Sequence, residues 1–170
     1  EILQNFSAKK QKLFLELGNL TGMGKDKLKR FSQILSFGNV IQPKINFHSE
    51  DDDLKGNWST VFNNENPLVL ELGCGAGEYT VALAKDYPNK NFIGIDIKGA
   101  RIWKGAKAAL DEGLNNVRFL RTKVDFITKF FGENEVNEIW LTFSDPQPKK
   151  PKKRLSSKLF TDRYQEFLKI

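Results

Sequence analysis

Two kinds of residue in this chain are spaced for chemistry: acids at the ends of short apolar runs, and glycines two apart. Glu71 stands two residues before Gly73, and Gly73, Gly75 and Gly77 form G-x-G-x-G between the run Leu68–Leu72 and a helical pattern beginning at Glu78. Glycines at such a point let the backbone turn tightly and let a ligand approach the main chain. The helix start adds unpaired N–H groups and a partial positive charge. A dinucleotide fingerprint requires a glycine or alanine at the position held here by Glu78. An acid in the strand end suits a cationic ligand better than a pyrophosphate. S-adenosylmethionine carries a sulfonium and an ammonium and no phosphate, so the loop leans to that cofactor. The alternative is an ordinary strand–helix turn.

Asp96 lies 19 residues after Gly77, at the end of the run Asn91–Ile95. A carboxylate there can accept from two ribose hydroxyls, a contact nicotinamide cofactors also use, or it can cap the next helix. Asp145, in Ser144-Asp145-Pro146, follows the run Glu138–Phe143 and is expected to point a carboxylate into the same crevice; turn formation is its other role. Cys74 is not expected to be a nucleophile, because it sits where the loop needs a small side chain and no histidine is placed to activate it. Lys149, Lys150, Lys152, Lys153, Arg154 and Lys158 are unbroken by any acid over residues 146–161, and Pro146, Pro148 and Pro151 oppose a helix there. Phosphate binding is the expected role of this run, a solvated surface the alternative. Lys98, Arg101, Lys104 and Lys107 offer a second basic surface.

These residues need elements to position them. Strand patterns at 68–72, 91–96, 117–121 and 138–143 alternate with helical ones at 78–87, 98–112, 124–131 and 159–170. That rhythm predicts an α/β fold: a doubly wound parallel sheet, helices on both faces, ligands beyond the carboxyl ends of the strands. Ile102, Ala106, Ala109 and Leu110 are the expected inner face of the second helix, with Gly113 as its stop. The fourth strand is expected to have an open outer edge. Residues 1–30 read as a basic arm, with Phe6, Leu13, Phe14 and Leu17 able to form a short amphipathic helix. Met23 could be a natural start. Residues 31–66 read as an irregular lead-in, with Trp58, Val61 and Phe62 packing on the sheet, and residues 67–170 as the N-terminal part of the domain.

Composition bounds the rest. The chain has 170 residues, 39% of them hydrophobic, enough for one domain with a core. A net charge of +6 favours an acidic partner such as nucleic acid. One cysteine excludes an internal disulfide and fits a reducing interior. A lone histidine, His48, makes a metal site unexpected. No apolar run reaches the roughly 18 residues that span a membrane, and a cytoplasmic location is expected, with a monomer as the default state.

Taken together, Glu71-Leu72-Gly73-Cys74-Gly75-Ala76-Gly77-Glu78, Ile93-Gly94-Ile95-Asp96-Ile97-Lys98-Gly99-Ala100-Arg101, Trp140 to Lys150 and Lys153-Arg154-Leu155 resemble the bacterial tRNA (guanine(46)-N7)-methyltransferase family from about Met23 to Ile170. The resemblance implies the Rossmann-like sheet of class I methyltransferases, here its first four strands plus helices. It implies S-adenosylmethionine as donor, N7 of a guanine in the tRNA variable loop as acceptor, and tRNA as partner, with no metal and no membrane. It makes Glu71 and Asp96 cofactor acids, with Gly73, Gly75 and Gly77 as the cofactor loop, Asp145 the catalytic aspartate, Lys149 a substrate contact, and Lys150 to Leu155 the segment that meets RNA. The family has an acid where Lys123 stands; Asp125 comes two residues later, and Thr122 is the expected replacement beside the adenine. Ser144 replaces a common proline, and the family's guanine-binding motifs would lie beyond Ile170. The expectation is therefore a C-terminally truncated, inactive and marginally stable piece. A methyltransferase on another RNA, a non-catalytic RNA-binding fragment and a nicotinamide oxidoreductase are the alternative readings.

Overall fold

The computed structural model describes residues 25–169. The basic residues before Lys25, the amphipathic pattern at Phe6–Leu17 and Met23 lie outside the described residues. Helix α1 (Lys25–Ile34) leads into strand β1 (Val40–Ile41) and helix α2 (Trp58–Phe62). Then come β2 (Leu68–Leu72), α3 (Glu78–Asp86), β3 (Asn91–Ile95), α4 (Gly99–Asp111), β4 (Val117–Leu120) and a 3-10 segment, Val124–Lys129. Strand β5 (Glu138–Trp140), a 3-10 turn at Pro151–Lys153 and helix α5 (Lys158–Tyr164) complete the order.

Every strand pairing is parallel, in the order β1-β4-β3-β2-β5. The chain grows outward from β2 through β3 and β4, then returns to place β5 on the other side of β2. The switch point of the sheet therefore falls between β2 and β5, where such folds bind ligands. Glu71 sits in register with Gly94 of β3 and Trp140 of β5.

Strand β2 is buried along its whole length because both faces are covered. Leu68, Leu70 and Leu72 face one apolar layer with Trp58, Phe62, Phe130, Phe131 and Phe167. Val69 faces the other, with Ile34, Val81, Ile102, Ala106, Ala109 and Phe119. Alternation along a strand sends successive side chains to opposite faces, so this single apolar run supports two layers.

Several details differ from the sequence-based expectation. The lead-in is not irregular throughout. Helix α1 crosses the expected boundary at residue 30 and buries Ile34, and β1 forms the sheet edge beside β4. A two-residue strand carries no period, and half of the residues of α1 are charged, so its few apolar positions do not stand out from the basic arm. Leu110 is exposed; it falls just outside the stripe made by Ile102, Gly105, Ala106 and Ala109. The fourth core strand ends at Trp140 rather than Phe143. Its outer edge is not fully open. Val136 and Leu168 form a parallel bridge, with Val136 N–H bonded to Phe167 C=O at 3.0 Å and Lys169 N–H to Val136 C=O at 2.7 Å.

Trp58 and Phe62 pack on the sheet as expected, and the Trp58 indole N–H donates to Phe130 C=O at 2.8 Å. Glu135 fixes that segment by accepting from the backbone N–H groups of Gly56, Trp58 and Gly132.

Candidate functional site

The site begins at the buried carboxylate of Glu71, on the penultimate residue of β2. One oxygen accepts from the backbone N–H of Thr80, in the first turn of α3, at 2.9 Å, and from the Thr80 hydroxyl. The other accepts from the Thr142 hydroxyl at 2.6 Å. A negative charge at a helix N-terminus meets free N–H groups and the positive end of the dipole. Glu71 is thus held from both sides of the switch point, and each of its oxygens already has a donor.

The three glycines do different work. All three take left-handed backbone, with φ of 74, 56 and 72° at Gly73, Gly75 and Gly77, a region costly for other residues. A Cβ at Gly77 would lie 2.5 Å from the Phe119 ring, and one at Gly105 would lie 2.6 Å from the Ala76 carbonyl. Gly77 therefore lets α3 and α4 close over Phe119. Among the described residues, a Cβ at Gly75 would meet nothing within 4 Å, and one at Gly73 only Leu155.

Asp96 follows β3 and closes on the same loop. Its Oδ2 accepts from Gly75 N–H at 3.0 Å, and its Oδ1 from Lys98 N–H at 2.7 Å, at the entrance to α4. Loop support and helix entry are thus the same interaction. Between Glu71 and Asp96, the Cys74 thiol is pushed well above its ordinary value, first by burial and then by the charges of Glu71 and Asp96. Two carboxylates converge on the loop strongly enough to oppose a third anion, and a protonated buried thiol is no nucleophile.

Asp145 lies three residues past Thr142 and is exposed. Both its oxygens engage Gln147: the backbone N–H donates at 3.0 Å and the side-chain amide at 2.7 Å. Gln147 has φ of 43°, so this carboxylate stabilises a turn an L-residue seldom adopts. Among the described residues, no ion pair links Glu71, Asp96 or Asp145 to a lysine or arginine.

Lys149, Lys150, Lys152 and Lys153 are exposed, and none is paired with a carboxylate among the described residues. Arg154 is committed: its Nε donates to Pro146 C=O at 2.8 Å. Next to it, Leu155 lies against Gly73, and its carbonyl accepts from the Tyr164 hydroxyl at 2.9 Å. These contacts fold the basic segment back to the glycine loop. On the second basic surface, Lys104 pairs with Glu78 and Lys107 with Asp111. Thr122 is buried beyond β4, Lys123 is exposed, and Asp125 lies 3.9 Å from Arg163.

A family model described as "Putative methyltransferase" matches residues 65–170, the span that holds all of these groups. The chain belongs to this methyltransferase family. Among its relatives are proteins named tRNA (guanine-N(7)-)-methyltransferase. That of Bacteroides fragilis is 53% identical over 148 residues, covering 86% of this chain and 59% of the relative. That of Christiangramia forsetii is 55% identical, covering 85% and 66%. That of Porphyromonas gingivalis is 59% identical over 116 residues, covering 68% and 48%. The chain thus spans less than two thirds of the length of these methyltransferases.

In this methyltransferase fold, sequence reasoning missed Thr80 and Thr142 as the partners of Glu71, and Leu155 and Tyr164 as the anchor of the basic segment. A threonine on a helix or at a strand end carries no signal of its partner. The pairing exists only once β5 lies beside β2.

Proposed function

We propose that this chain forms the donor site and the phosphate-binding segment of an enzyme that transfers a methyl group from S-adenosylmethionine to N7 of a guanine in the tRNA variable loop. The reading rests on one arrangement: carboxylates at the ends of β2 and β3 and after β5 that have no cationic partner among the described residues, followed at once by four lysines that have no carboxylate partner among them. The acids suit a cationic donor and the lysines a polyanionic acceptor.

The donor fits the residues present. Among the described residues nothing lies within 4 Å of where a Cβ on Gly75 would stand, and the charges of Glu71 and Asp96, which add to burial in raising the Cys74 thiol, favour a cation there. Asp96 would accept from its ribose hydroxyls, Glu71 would complement its cationic end through the loop, and Thr122 would border the adenine. Bound there, S-adenosylmethionine supplies a methyl group on a sulfonium, transferred in line as the S–C bond breaks and the N–C bond forms. Guanine N7 has an in-plane lone pair and no proton to lose, so the protein need supply no general base. Its work is positioning. Asp145 would accept from the guanine N–H edge and favour the positive charge that arrives on the base. Gln147 takes one acceptor position on each Asp145 oxygen, which leaves a second lone pair on each for the base. Lys149 to Arg154 would hold the tRNA backbone, and a tRNA substrate accords with a cytoplasmic enzyme.

The test is transfer of labelled methyl to unmodified tRNA by a protein of the relatives' full length carrying these residues, with the modified base mapped. N7-methylguanine in the variable loop supports the reading, and Asp145→Asn should cut turnover by about 100-fold or more. A modified base elsewhere would identify another RNA methyltransferase. RNA binding without donor binding would leave a non-catalytic module.

A further inference from the structure

One neighbour of each of the two threonines that hold Glu71 is aromatic and exposed. Tyr79 precedes Thr80, and Phe143 follows Thr142. Tyr79 is 45% exposed and Phe143 is 81% exposed, and their rings meet edge to face with centroids 5.6 Å apart. The Glu71 carboxylate accepts from the Thr80 backbone N–H and from the Thr80 and Thr142 hydroxyls, tying together the two residues that adjoin the rings. Phe143 also lies two residues before Asp145, and the free lysines begin four residues after Asp145. An exposed aromatic pair beside unpaired cations is the combination that binds single-stranded nucleic acid: rings stack on bases while lysines meet phosphates. A platform already held in place loses little freedom on binding.

We propose that Tyr79 and Phe143 form a stacking platform for an unpaired base of the RNA at the mouth of the crevice. The complementary charge of the lysines selects RNA over other occupants of an apolar patch. The target RNA follows from the methyl-transfer reading, whereas the platform is measurable without catalysis.

The experiment uses this chain and a short single-stranded RNA with 2-aminopurine in place of one purine. Affinity and fluorescence quenching are read together. Phe143→Ala should weaken binding by about 5- to 100-fold and abolish the quench, with the salt slope unchanged because every lysine still meets its phosphate. Phe143→Trp should retain both. Tyr87→Ala, at the far end of α3, should change neither. Affinity within twofold of wild type and an intact quench in Phe143→Ala would overturn the proposal. So would a change confined to self-association, which would mark the pair as a protein interface. A parallel titration with S-adenosylmethionine separates the two readings. Donor binding with no Phe143 effect sinks the platform alone; a Phe143 effect without donor binding sinks the methyl-transfer reading alone.

Discussion

The Thr142 hydroxyl donates to Glu71 Oε1 at 2.6 Å, tying the strand end that leads to Asp145 to the strand end that leads into the glycine loop. The bond crosses the switch point of the sheet, so it sets the spacing between the proposed donor and acceptor sites. Thr142→Val keeps the shape and removes the hydroxyl, leaving a buried carboxylate oxygen without its partner. Stability should fall by about 1–3 kcal/mol, read from urea denaturation. Thr142→Ser should lose much less. An unchanged midpoint in Thr142→Val would show that the bond does not hold the two strand ends together.

Gly75 and Gly77 should separate function from packing. Gly77→Ala places a Cβ 2.5 Å from the Phe119 ring at φ of 72°. It should destabilise the fold by about 2–4 kcal/mol, from backbone strain and overpacking together. Gly75→Ala meets open space and should cost only the strain, about 1–2 kcal/mol. Its larger effect should be on S-adenosylmethionine affinity, measured by calorimetry. Equal stability losses in the two variants would contradict this division.

Much of the site was legible because its signals are local. The order Gly73, Gly75, Gly77 predicts a tight turn, and all three have positive φ. The run Leu68–Leu72 predicts a strand covered on both faces, and it is buried throughout. What could not be read depends on tertiary contact. Gly77 reads as a loop glycine from its spacing, but the Phe119 ring that a Cβ there would meet lies 42 residues away. For Asp145 the sequence offers a carboxylate in the crevice or a turn former, and the partner that engages both its oxygens, Gln147, is not a residue type that announces such a turn. Leu110 lay close enough to the apolar stripe to be placed inside, and only the arc covered by the sheet excludes it.

Cys74 should reveal the field of the loop. Its thiol is raised above the ordinary value of 9.0, so the native state favours the protonated form. That contribution is complete below the unfolded value and is lost as pH rises through it toward the folded one. The urea midpoint of the wild type should therefore fall more steeply above pH ~9 than that of Cys74→Ala. At pH 8, iodoacetamide should label the unfolded chain and spare the native one. Rapid native labelling would mean that the thiol is neither buried nor opposed by Glu71 and Asp96.

The free lysines should act through phosphate. Replacing Lys152 and Lys153 by alanine should lower RNA affinity for all sequences alike. The slope of log affinity against log salt should fall by about 0.7 for each phosphate of a single strand that is no longer neutralised. Arg154→Ala should act differently, because its guanidinium holds Pro146 and through it the turn at Asp145. A salt slope that ignores the lysine pair would show that they are only solvated.

The most direct measurement is a calorimetric titration of this chain with S-adenosylmethionine, repeated with Asp96→Asn and with NAD. The acidic crevice should bind the sulfonium donor, lose about 10- to 100-fold in affinity when Asp96 is neutralised, and ignore NAD. Binding of NAD, or donor affinity indifferent to Asp96, would contradict it.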